Sequence, residues 1–104
     1  MKEWFSKHLS EQLGIDDPEV QREFFAEYRT SAAEMLEEMH RAIGQNEMAQ
    51  LRRLAHSLKG SALMIGDESM RDLALILEDY CEAADMPNCK NTLKLLAGAV
   101  KRLE

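Results

Sequence analysis

Apolar residues recur along this chain at helical spacing, in five blocks parted by short polar or glycine-bearing breaks. Residues 2–13 set Trp4, Phe5, Leu9 and Leu13 on one stripe and stop at Gly14, which predicts a short amphipathic helix. Asp17-Pro18-Glu19 opens the second block. It joins a capping aspartate, a proline suited to a first turn, and an acid at the positive end of the dipole. Val20, Phe24, Tyr28, Met35, Met39 and Ile43 then define a main stripe, widened by Phe25, Ala32 and Leu36, until Gly44. Asn46 is placed to cap a third helix that stops at Gly66, with Leu51, Leu54, Leu58, Ala62 and Ile65 on one face. Asp67 is placed to cap a fourth, striped by Met70, Leu73, Ala74, Leu77, Cys81 and Ala84, with Leu75, Ile76 and Tyr80 beside them. The unbroken apolar run Leu73–Leu77 predicts contact with more than one neighbour. After a turn at Asp85-Met86-Pro87, a last helix from about Asn88 packs through Cys89, Leu93, Leu96, Val100 and Leu103.

Four main helices with short connections imply antiparallel neighbours. The expected fold is all-α: an up-down-up-down four-helix bundle with a short N-terminal lid helix. One domain is expected over residues 1–104, with 1–16 the lid helix and its turn and 17–104 the bundle.

Composition narrows the function classes. With 45% hydrophobic and 31% charged residues in 104, the chain is ordinary globular material for one domain. Two prolines and five glycines favour long helices, and seven methionines suit an adaptable core. A net charge of -6 argues against a nucleic-acid partner. The longest apolar run is far too short for a membrane span, and no signal-peptide core is present. The protein is therefore expected to be cytoplasmic and monomeric. Cys81 and Cys89 lack CxxC spacing and are expected to be reduced thiols. Glu37-x-x-His40 has the spacing of di-iron bundles, but such sites need the motif twice and two further glutamates. His40 is expected at the surface, no metal site is expected, and His8 has no partner constellation in the sequence.

The third block has an unusual solvent face. Opposite its core stripe lies His56, surrounded by Ala49, Arg52, Lys59, Gly60 and Leu63. A mid-helix glycine costs about 1 kcal/mol relative to alanine. A side chain at position 60 would lean back over position 56. Glycine leaves the imidazole uncovered, so a partner's backbone can approach. Lys59, one turn after His56, offers an ammonium where negative charge would develop. An exposed imidazole is largely available as a neutral nucleophile at neutral pH. The expected acceptor atom is Nε2, at the exposed tip.

The stretch His56-Ser57-Leu58-Lys59-Gly60-Ser61-Ala62, closing at Gly66, resembles the signature of histidine-containing phosphotransfer domains, His-x-x-Lys-Gly-small-small with a later helix-ending glycine. Leu73-Ala74 through Leu77-Glu78 resembles the family's next helix, and the likeness covers roughly residues 18–104. The polar Asp67-Glu68-Ser69 departs from the family's smaller or apolar residues there and is expected to affect the edge of a docking surface. The resemblance implies a phosphorelay intermediate, a phosphohistidine carrier rather than a turnover enzyme. His56 would accept a phosphoryl group from a receiver-domain aspartate and pass it to another receiver. Lys59 would stabilise charge, Gly60 would allow close approach, and Arg52, Arg53 and Leu63 would meet the partner. Partners would be response-regulator receiver domains and a hybrid sensor histidine kinase, with Mg²⁺ brought by the receiver. Histidine-kinase acceptor boxes put an acid after the histidine and a proline a turn later, whereas here Ser57 and Ser61 stand. No glycine-rich nucleotide lobe is present, so no autokinase activity is expected. A plain helical interaction module is the competing reading, and Gly60 argues against it. Membership in a longer sensor or chemotaxis kinase would leave the chemistry the same.

Overall fold

A computed structural model describes residues 1–103; Glu104, the last residue of the expected bundle, lies outside them. Five helices follow in order: α1 (Glu3–Leu13), α2 (Pro18–Gly44), α3 (Met48–Ile65), α4 (Glu68–Glu82) and α5 (Met86–Lys101). The connections between α2, α3, α4 and α5 are two or three residues long. Each therefore reverses the chain, and α2 closes a ring with α3, α4 and α5 in sequence. The 27 residues of α2 account for most of the molecule's 43 Å length. The architecture is all-α, a short helix followed by four longer packed ones, as expected.

Backbone geometry explains how such tight connections end one helix and begin the next. Asn46, Gly66 and Ala84 all adopt the left-handed conformation, with φ of 56°, 85° and 54°. In each case the following residue reaches back five positions: Glu47 N–H to the Ala42 carbonyl, Asp67 N–H to Ala62, and Asp85 N–H to Tyr80. This is the Schellman closure, which satisfies carbonyls that the last turn would leave orphaned. Asp67 and Asp85 serve twice, because their side chains then accept the Met70 and Asn88 amides and cap α4 and α5.

Several expectations need correction on this basis. Asn46 does not cap α3, because its backbone is committed to closing α2; the N-cap is Glu47, without a side-chain bond. The last helix begins at Met86 rather than Asn88, since Asp85 caps it and Pro87 is tolerated in a first turn that needs no N–H from it. Ala84 lies in the turn, exposed, and not on the α4 stripe. In α2 the buried line is Gln21, Phe25, Tyr28, Ala32, Met39 and Ala42. The core side is thus centred on Phe25, and Phe24 is 38% exposed. Trp4 and Leu13 are also exposed, so the buried residues of α1 are Phe5 and Leu9. α4 packs against both α3 and α5, yet Leu75 and Ile76 of its apolar run face outward. The five expected core residues of α3 and those of α5 are all buried.

Polar contacts fix α1. Ser6 donates to the buried Gln21 side chain at 2.7 Å, and the Gln21 amide donates to the Ile15 carbonyl at 2.7 Å. His8, without a partner in the sequence reading, has one here: its Nε2 lies 2.9 Å from the Met64 carbonyl. Its ring covers Gly66 so closely that a Cβ there would fall 2.5 Å from the ring. Gly66 is therefore required twice, for its positive φ and for its missing side chain.

Candidate functional site

His56 projects from the outer face of α3, its side chain 68% exposed, one turn before Gly60. The helix presents it there because Ala55 and Leu58, its neighbours around the cylinder, are buried on the other side. Gly60 is in plain helix, and a Cβ added to it would meet nothing within 4 Å. Leu63 and Met64 beyond it are 60% and 67% exposed. Arg52 donates to Glu82 on α4 at 2.7 Å, and Arg53 donates to Gln50 on its own helix.

The organising group is one that the sequence reading passed over. Glu78 on α4 is buried, and its carboxylate bridges the two motif residues. Oε1 accepts from Lys59 Nζ at 2.6 Å, and Oε2 lies 2.8 Å from His56 Nδ1. The Lys59 hydrogen bond holds the Glu78 carboxyl below the usual carboxylate range against the opposing effect of burial, and His56 adds to the lowering. An ionised carboxylate can only accept, so Nδ1 carries the proton. In the neutral ring Nε2 then holds the lone pair. Nε2 makes no hydrogen bond among the described residues, and the side chain that carries it is largely exposed. The Lys59 ammonium is correspondingly not freely solvated. It is tethered and 28% exposed.

A signal for Glu78 was present in the sequence. It stands four residues after Ala74 and beside Leu77, an acid at the edge of an otherwise apolar stripe. A carboxylate there needs a partner from the facing helix, and α3 supplies Lys59 and His56.

Two hollows flank the imidazole. One, of about 400 Å³, is lined by Arg52, Arg53, His56, Ser57 and Glu78. The other, of about 630 Å³, runs between α2 and α3 past Phe24, Tyr28, Gly60, Ser61 and Met64. One side of His56 thus carries two arginines beside Glu78, and the other is mostly apolar.

The remaining titratable candidates lie elsewhere. His40 and Glu37 are exposed on α2. Asp67 is buried, not at the edge of a surface: it caps α4 and accepts the Tyr28 hydroxyl at 2.8 Å. Burial, followed by the Asp67 charge, pushes the Tyr28 phenol well above its ordinary value. Among the described residues no group of three or more His, Cys, Asp or Glu is placed to hold a metal. No helix of the described residues is long and apolar enough to cross a membrane.

Comparison with protein families matches residues 23–104 to the Hpt domain. Comparison with curated proteins and with solved structures returned no significant match. The match spans most of the chain, from within α2 to the C-terminus, and the chain belongs to the Hpt domain family. Membership implies a histidine phosphotransfer role in a phosphorelay, with partners among phosphorelay components.

Proposed function

We propose that this chain is a phosphorelay intermediate in which His56 takes a phosphoryl group from a receiver-domain aspartate and gives it to another receiver. The observation that carries this reading is the Glu78 bridge, which fixes the proton on Nδ1 and leaves Nε2 exposed and nucleophilic. In the forward step the Nε2 lone pair attacks phosphorus, the P–O bond to aspartate breaks, and the aspartate leaves as a carboxylate. Nδ1 keeps its proton on Glu78, so the positive charge that develops on the ring faces an anion. The second transfer is the same step reversed, onto a different carboxylate. Glu78 is a positioning residue in this account, because it acts through His56.

Lys59 is one turn from His56 and would offer charge to the phosphoryl oxygens while staying on Glu78. Arg52 and Arg53 border the hollow beside Glu78, and their cations suit the acidic pocket of a receiver, which would bring Mg²⁺. Gly60 and the exposed Leu63 give the receiver an unobstructed apolar landing beside the imidazole. A hybrid sensor histidine kinase fits as the upstream donor, and a cytoplasmic setting suits such partners.

The test is label transfer. A phosphorylated cognate receiver should label the wild type and the His8→Gln and His40→Gln variants, but not His56→Gln. ATP with Mg²⁺ alone should leave the protein unlabelled. Label retained by His56→Gln, or acquired from ATP by kinase-free protein, contradicts the reading.

A further inference from the structure

At the end of α3 away from α1, three helices bring three sulfur atoms together. Cys81 near the end of α4 and Cys89 in the first turns of α5 place their Sγ atoms 3.8 Å apart. Met48, the first residue of α3, places its Sδ 4.0 Å from Cys89 Sγ. Both thiols are buried and neither is in a disulfide. Phosphotransfer at His56 uses none of the three.

Their spacing has a chemical meaning. With metal–sulfur bonds of about 2.3 Å, two ligands stand about 3.8 Å apart at a tetrahedral angle and about 4.0 Å apart at a trigonal one. The donor set is two thiols and a thioether, which selects a soft ion. Zinc sites are four-coordinate, and no third cysteine, histidine or carboxylate joins this group among the described residues.

We propose that Cys81, Cys89 and Met48 form a binding site for a thiophilic monovalent metal ion of the copper(I) class. On binding, both S–H bonds break and two protons pass to the solvent. Two metal–thiolate bonds form, the Met48 thioether donates a lone pair, and nothing is oxidised or reduced. The site carries one net negative charge. A redox-active pair is the alternative. Both thiols are buried, which shields them from a bulky disulfide oxidant. Thiol oxidation would also leave Met48 without a part.

The experiment is an anaerobic titration of the full chain with copper(I) held by bicinchoninate. The native protein should strip about one equivalent from the chelator and gain sulfur-to-copper absorption in the ultraviolet. The Cys81→Ala/Cys89→Ala double variant should take up none. Met48→Leu, which keeps the packing volume and the fold, should bind about tenfold more weakly, and zinc(II) should not displace the copper. Failure of the native protein to take copper, uptake by the cysteine variant, or binding by Met48→Leu as tight as the native protein's overturns the proposal. So does efficient conversion by oxidised glutathione to an internally disulfide-bonded form that is the only ligand-dependent change.

Discussion

Glu78 ties the chemistry proposed for His56 to the acid stability of the fold. Its carboxyl is held below the ordinary value of about 4.3. The stabilisation is therefore complete above that value and is lost as pH falls through the lower folded one. Glu78→Gln should flatten the acid limb of unfolding free energy against pH below about 4.3, while slowing transfer at neutral pH. Chemical denaturation across pH 2–7 checks the first half, and an unchanged slope would contradict it. Lys59→Ala removes the strongest partner of a buried carboxylate, so it should cost about 1 kcal/mol in denaturant melts and slow transfer. That exceeds the few tenths expected of a lysine on a bare solvent face, the position that the helical period of α3 assigned it. Gly60→Ala should do the opposite: a stabilisation of roughly 0.5–1 kcal/mol, since its methyl meets no other part of the chain. Transfer should fall slightly with alanine and much more with leucine or glutamine.

At the scale of elements, the helices were legible wherever periodicity or a cap spoke alone. The face of α3 and the Asp67 cap of α4 follow directly from spacing and residue type. The failures came where one residue has two neighbours to serve. Asn46 looks like a cap, but the chain needs it in the left-handed region to close α2, a conformation asparagine tolerates. In α2 the apolar residues at positions 24 and 25 offer two stripes, and the tertiary partners choose the one through Phe25. Glu78 was missed because its partners come from another helix, which no single-helix period displays. Ala84 holds the left-handed position that glycine holds at Gly66. Ala84→Gly should therefore raise stability by about 0.5–1 kcal/mol, the left-handed penalty less the entropy cost of glycine. A thermal melt that moves downward would contradict this.

Across the whole molecule, α1 lies ahead of the family match yet is built into the bundle. Phe5 and Leu9 are fully buried, the Phe5 ring meets Phe25 edge-on at 4.9 Å, and His8 covers the glycine that ends α3. Phe5→Ala should cost about 3–5 kcal/mol, a large share of a small domain's stability. Its effect on transfer should track the unfolded fraction, because α1 meets the end of α3 at Met64 and Gly66, more than two turns from His56. Denaturant midpoints and transfer rates measured under folded conditions separate the two effects. The same view explains why the fold class was readable from the sequence while the site was half readable. The bundle follows from local periods and short turns, whereas the bridge from α4 to α3 exists only after the helices meet.

In the proposed mechanism His56 presents Nε2 because Glu78 holds the proton on Nδ1. Nitrogen-15 NMR of histidine-labelled protein reads both ring atoms directly, before and after loading by a phosphorylated receiver. The expected spectra show a protonated Nδ1 in the free protein and a phosphorus-coupled Nε2 in the loaded one. A proton on Nε2 in the free neutral ring, or phosphate on Nδ1, would contradict the account.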